Sequence, residues 1–320
     1  MHSTLPNGSW PVIFTPFTES NEVDYRALDA AFDFYLGTRQ AGLFANALSG
    51  EVFDLTLDEC VQIAARLVNR SAGRLPILSG AASGNTLEEQ AEALKALQGT
   101  GVDATVILLS ALPKPDSLVE QVLELAEKVE GPLGLYECPL PEHRLLDAEQ
   151  VRTLASTGRF VFLKETSRQT EIFLEKLAAA EGTPLRVFQA NLRCAPESLR
   201  DGAPGVCGIF CNFCPEWSAT LCDRKAPKAD RETAFRALVA FHDAILSHGY
   251  PASGKYLLQK RGVAMTLATR KFHNRRFDDS DRAFLDSFFA EFGLADGAPS
   301  VTQERLEKLL TELGAIKLVD

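Results

Sequence analysis

Helix-start signals recur at a nearly constant interval along the first half of this chain, and the interval limits the folds open to it. Thr56 is followed three residues later by Glu59, Thr86 by Glu89 and Ser117 by Glu120. In each pair the hydroxyl and the acid satisfy N–H groups that a helix start leaves unpaired. Asp24 and Asp147 read as further N-caps. The starts fall about thirty residues apart, the size of one strand–loop–helix unit.

Between these helices lie short apolar runs: Trp10–Phe14, Gly42–Asn46, Leu75–Ser79, Asp103–Leu109, Leu133–Tyr136, Phe160–Lys164, Leu185–Gln189 and Gly205–Phe210. Most are near-continuously apolar rather than alternating, as parallel strands buried on both faces require. Eight such strands alternating with helices predict a (β/α)8 barrel, the TIM-barrel architecture of the α/β class. An open doubly wound sheet would carry a glycine-rich loop after its first strand. Phe14-Thr15-Pro16-Phe17 stands there instead. After Pro215 the strand signal stops, and Lys228–Ser247, Gly254–Arg270, Ser280–Phe292 and Val301–Leu313 read as helices. The expected organisation is a barrel over 1–224 with a C-terminal helical extension over 225–320.

The formal charge of −10 disfavours nucleic acid, whose phosphates an acidic chain repels. No apolar run is long enough to span a membrane. Met1–Trp10 lacks the basic and apolar regions of an export signal, so a cytoplasmic location with reduced thiols is expected.

Barrel enzymes carry their chemistry at the C-terminal ends of the strands. The run Phe160-Val161-Phe162-Leu163 ends there in Lys164. An amine drawn into an apolar barrel mouth loses water, which disfavours its ammonium form and frees it to attack a carbonyl. The alternative is a lysine that snorkels to solvent. One strand earlier, Leu133-Gly134-Leu135 ends in Tyr136. Parallel neighbours lie about 4.8 Å apart, which places a phenol near the amine as a proton relay. After the second strand, Ala47-Leu48-Ser49-Gly50-Glu51 is a small-residue turn whose N–H groups can meet a carboxylate.

Taken together, these residues resemble the dihydrodipicolinate synthase/N-acetylneuraminate lyase family of class I aldolases and lyases. The resemblance runs over about residues 8 to 292. It is carried by Thr15-Pro16-Phe17, Leu48-Ser49-Gly50-Glu51 with Leu55-Thr56, Leu135-Tyr136 with Pro139, Lys164-Glu165, Gly202-Ala203 leading into Gly205-Val206, and Asn212. In the tail, Gly254-Lys255 and Gly262 also match. The resemblance implies a lyase or aldolase, or a sugar-acid dehydratase, in which Lys164 forms an imine with pyruvate or another 2-oxo acid. Tyr136 would relay protons, Leu48 and Ser49 would bind the carboxylate through main-chain N–H groups, and the Cys207 carbonyl would face the site. Neither metal nor organic cofactor is implied. The family is commonly tetrameric, so a homotetramer is expected, with a homodimer as the alternative.

Several positions depart from the family pattern and bear on the substrate. Leu48 replaces a relay threonine, and Ala111-Leu112 replaces a Tyr-Tyr pair, so the tyrosine that a neighbouring subunit normally inserts is missing. Pro141 aligns with the arginine of the synthases, with Arg144 three residues on. The usual Gly-Asp near the seventh strand becomes Ala190-Asn191. Dihydrodipicolinate synthesis is therefore disfavoured, and Glu137, His143, Arg144 and Asn191 are the candidates for reading specificity.

Two rival readings remain. The missing hydroxyls suit a silent barrel that binds a 2-oxo acid without turning it over. Cys207, Cys211 and Cys214 have the Cys-x3-Cys-x2-Cys spacing of an iron–sulfur radical enzyme, or with Cys222 of a zinc site. Read as a strand, however, Cys207–Cys211 holds its thiols about 13 Å apart, too far for one ion.

Overall fold

A run such as Ala104–Leu108, apolar at nearly every position, cannot leave either face in water, and all five of its residues are buried. The computed structural model of the protein describes residues 5–270, 276–292, 304 and 306. Eight parallel strands run in it: β1 (Gly8–Ser9), β2 (Leu43–Ala45), β3 (Ile77–Gly80), β4 (Ala104–Leu108), β5 (Leu133–Tyr136), β6 (Phe160–Glu165), β7 (Arg186–Gln189) and β8 (Gly205–Val206). They are hydrogen-bonded in the order β1-β8-β7-β6-β5-β4-β3-β2. A parallel bridge between Val12 and Phe44 joins the two ends of that order. The architecture is a (β/α)8 barrel.

The outer ring is α1 (Tyr25–Leu36), α2 (Leu57–Ser71), α3 (Leu87–Gln98), α4 (Leu118–Lys128), α5 (Ala148–Ser156), α6 (Thr170–Ala179), α7 (Ala195–Arg200) and α8 (Pro215–Cys222). Thr56, Thr86 and Asp147 each close a reciprocal capping box, and Asp24 caps α1. Ser117 does not cap α4. Pro115 presets a 3-10 turn over Pro115–Ser117 that runs straight into the helix, and Gln121 Nε2 donates to the Ser117 carbonyl instead.

An aromatic layer fills the barrel. The Trp10, Phe44, Phe162 and Phe188 rings touch at centroid distances of 5.1 to 6.0 Å, and all four are fully buried. Gly42 is required beside it, because a Cβ there would overlap the Trp10 ring. This layer is the floor on which the barrel mouth stands.

Three expected boundaries move. The first strand is not Trp10–Phe14: Pro11 has no N–H to donate, so β1 stops at Ser9 and only Val12 bridges onward. The eighth ends at Val206, and Ile209–Cys211 is a 3-10 turn, which removes the straight strand assumed between Cys207 and Cys211. The helix expected over Gly254–Arg270 is α10 (Ala252–Lys260), closed by Gly262 in the left-handed region at φ 88°.

The C-terminal helices are α9 (Lys228–Ser247), α10 and α11 (Asp279–Glu291). Leu238, Phe241, Leu257 and Leu285 from them join the same apolar cluster as Trp10 and Phe44. The expected helix Val301–Leu313 lies outside the described residues except for Glu304 and Leu306, both helical. No helix among the described residues is long and apolar enough to cross a membrane.

Candidate active site

Strand alternation sends every second side chain into the barrel. In β5 and β6 the register pairs Tyr136 directly with Lys164, so both project into the mouth from adjacent strand ends. Lys164 Nζ lies 4.4 Å from the centre of the Tyr136 ring and 5.7 Å from that of Phe44. Only 4% of Lys164 is exposed. Burial raises the Tyr136 phenol well above its ordinary range, so it stays protonated and able to donate.

Lys164 and Tyr136 open into a cavity of about 490 Å3, also lined by Leu48, Ser49, Asn191 and Tyr250. After β2 the chain makes a 3-10 turn over Leu48–Gly50. Gly50 and Glu51 N–H bond back to Ala47 and Leu48, while the Leu48 and Ser49 N–H groups meet no acceptor among the described residues. Two such amides at a cavity wall suit a carboxylate. The Cys207 N–H donates to Gln189 O at 2.9 Å, and the adjoining Gly208 lines the cavity. The Cys207 thiol itself is buried, which pushes its pKa to about 12.

The turn is anchored from far away. Tyr250, from the segment between α9 and α10, donates its hydroxyl to Ser49 Oγ at 2.6 Å. Glu51 follows in the left-handed region at φ 60° and is buried. Its Oε1 takes a 3.0 Å ion pair from the fully buried Lys255 of α10, and its Oε2 accepts from the Arg270 N–H. Thr15 Oγ1 donates to the Gly50 carbonyl at 2.7 Å.

Three of the four specificity candidates do not line the cavity. Glu137 does not reach the mouth. Alternation turns it outward beside Tyr136, as it turns Glu165 outward beside Lys164, and both meet Lys176 of α6 at 2.7 and 2.9 Å. All three side chains are fully buried. Burial pushes the Glu137 carboxyl up to about 7, against the lowering pull of Lys176. Arg144 turns away as well: its Nη1 donates to the Leu109 and Leu112 carbonyls at 3.3 and 2.6 Å, and its other nitrogens hold Glu142.

His143 sits one contact behind the wall. The Thr166 hydroxyl donates to the Glu137 carbonyl at 2.5 Å, so it accepts from His143 Nε2–H at 2.7 Å. Burial, then the nearby Arg168 and Lys176, lower the histidine's pKa, which favours its neutral form. Asn191 alone of the four candidates lines the cavity.

Sequence reasoning gave no site role to Tyr250, Lys176, Arg168 or Arg193, and it noted Lys255 only as a family match. Tyr250 lies between two helices and Lys255 within one, with no strand-end signal at either. Lys176 would have been found only by noticing that two carboxylates follow the paired Tyr136 and Lys164. The cysteines do not form a cluster: among the described residues no three His, Cys, Asp or Glu side chains are grouped to share a metal ion. The 3-10 turn puts Cys211 in the barrel wall, and Cys207, Cys211 and Cys214 are buried as small apolar residues.

The dihydrodipicolinate synthetase family model matches residues 5–273. The 4-hydroxy-tetrahydrodipicolinate synthase of Staphylococcus saprophyticus is 25% identical over 285 residues, which is 87% of this chain and 94% of that protein. That of Sorangium cellulosum is 28% identical over 275 residues, 84% of this chain and 90% of that one. A prophage protein of the dihydrodipicolinic acid synthase family from E. coli K12, solved in complex with pyruvate, superposes with a TM-score of 0.81 at 21% identity. That superposition covers 90% of this chain and 99% of the other.

Proposed function

Since this chain belongs to the dihydrodipicolinate synthetase family, we propose that it is a class I lyase whose Lys164 forms an imine with pyruvate or a related 2-oxo acid. The observation that carries the proposal is the in-register pairing of Tyr136 with Lys164 at the mouth of the barrel.

The Lys164 amine adds to the ketone carbon, and the carbinolamine expels water to leave an iminium. Tyr136 hands a proton to the departing oxygen and takes one back. The iminium then acts as the electron sink. Loss of a proton from the next carbon gives an enamine, which adds to an aldehyde whose oxygen is protonated. Run backwards, a 4-hydroxy-2-oxo acid loses its hydroxyl proton and splits into an aldehyde and the same enamine. Hydrolysis of the imine returns the amine. The Leu48 and Ser49 N–H groups hold the carboxylate, and the Cys207 carbonyl, next to the cavity-lining Gly208, is assigned to face the substrate.

Buried Leu112 and the cavity-lining Leu48 stand where the family usually carries hydroxyls, which favours a second reading as a silent binding barrel. Against it, Ser49 and Tyr250 keep two hydroxyls on the same cavity as Tyr136.

Incubation with pyruvate and sodium borohydride, followed by peptide mapping, tests the imine. A reduced three-carbon adduct on Lys164, absent in Lys164→Ala, is expected. No adduct with pyruvate or with longer 2-oxo acids would remove the mechanism. An adduct without turnover of any aldehyde or sugar acid would favour the silent barrel.

A further inference from the structure

The chain is strongly acidic, yet its cavity is not. Among the described residues lining it are four basic side chains, Lys164, Arg168, Arg193 and His242, and no carboxylate. Lys164 is assigned to the imine. Arg193 and His242 are both engaged by Asp243, at 3.0 and 3.2 Å. Arg168 makes no hydrogen bond or ion pair among the described residues, and it is solvent-exposed at the rim.

Its backbone is unusual too. Arg168 lies at φ 64°, in the left-handed region that a side chain rarely adopts and glycine adopts freely. The turn is held from beneath: the Ser167 N–H donates to the buried Glu165 at 2.9 Å, and Glu165 is held by Lys176. An uncommon backbone state kept beside a reactive group is a pointer to function. The competing cation from the neighbouring loop is spent, since Arg144 is bound to carbonyls and Glu142.

Asn191 lines the same cavity. Its Oδ1 accepts from the Arg193 and Cys194 N–H groups at 3.0 and 3.3 Å, leaving its amide NH2 to donate. A guanidinium and an amide donor together suit an oxyanion with two acceptor oxygens. The cavity, about 490 Å3, also has room well beyond a three-carbon acid.

We infer that Arg168, with Asn191, is the receptor for a second oxyanion, so that the preferred substrate is a 2-oxo acid ending in a carboxylate or a phosphate. The inference rests on the imine reading only for the placement of the first carboxylate.

Matched pairs test it by calorimetry: 2-oxoglutarate against 2-oxopentanoate, and 2-oxoadipate against 2-oxohexanoate. A third pair, 2-keto-3-deoxygluconate with and without its 6-phosphate, separates phosphate from carboxylate. In at least one pair the anionic member should bind tenfold or more tightly, with the advantage shrinking in high salt. Arg168→Gln should abolish that ratio and Arg168→Lys should restore part of it. Ratios near one in all three pairs, or an equal loss for both members in Arg168→Gln, would overturn the inference. Because calorimetry reads binding, a failed borohydride adduct would count against the imine alone.

Discussion

Tyr250 and Ser49 are separated by 201 residues of chain and joined by a 2.6 Å hydrogen bond. The bond ties the C-terminal helical region to the turn that presents the Leu48 and Ser49 amides. Tyr250 is buried, and burial raises its phenol above the ordinary range, so it acts as a donor. Tyr250→Phe leaves Ser49 without this partner. Losing one neutral hydrogen bond costs about 1 kcal/mol. The pyruvate concentration for half-maximal borohydride adduct should rise about fivefold. An unchanged dependence would show that the turn holds its shape without Tyr250.

Tyr136→Phe keeps the ring beside Lys164 and removes only the hydroxyl. General acid–base catalysis contributes roughly 10²- to 10⁴-fold. Exchange of pyruvate methyl protons in D2O, followed by NMR, should slow by that order while pyruvate binding persists. A rate within threefold of the parent would assign the relay to another hydroxyl.

The buried Glu51–Lys255 pair allows a stability test. Burial lowers the Lys255 pKa, and Glu51 offsets part of that shift. Lys255→Met removes the buried cation that pairs with the Glu51 carboxylate, which keeps only its other contacts such as the Arg270 N–H, and should cost about 3–5 kcal/mol in urea unfolding. Adding Glu51→Gln should recover most of the loss. If the double variant is no more stable than the single one, packing around Lys255 matters more than charge.

Glu137 predicts a direction with pH. Its folded pKa, about 7, lies above the ordinary 4.5, so the folded state binds the proton more tightly than the unfolded chain. Stability from this group is complete below about pH 4.5 and is lost as pH rises through about 7. Urea unfolding at pH 5 and pH 8 should therefore show the parent losing more stability than Glu137→Gln. Parallel trends in the two proteins would mean that Lys176 compensates Glu137 fully.

Phe162 lies at the centre of the aromatic layer, touching Trp10, Phe44 and Phe188. Phe162→Ala should cost about 3–5 kcal/mol, the range for an aromatic removed from a packed core. Thermal or urea unfolding checks this, and a loss under 1 kcal/mol would mean that the neighbouring rings close over the gap.

The elements of the barrel were legible because local chemistry writes them. Thr56, Thr86 and Asp147 announce helices through bonds to their own neighbours, and Ala104–Leu108 announces a doubly buried strand through its composition. Ser117 marked the right start for α4, but its side chain makes no cap bond, because Pro115 sets a 3-10 turn that leads into the helix. Glu137 and Arg144 misled because being near the site in sequence does not set the direction of a side chain.

Sequence alone determined the barrel, and it determined that Tyr136 and Lys164 stand side by side. Both follow from fixed periods: thirty-odd residues per unit, two residues per strand face, one strand spacing between neighbours. Only the tertiary structure decided that Tyr250 meets Ser49 and that Lys255 meets Glu51. No local period encodes those meetings. They arise when barrel closure and helix packing bring distant segments into one small volume, where burial forces each polar group to find a partner.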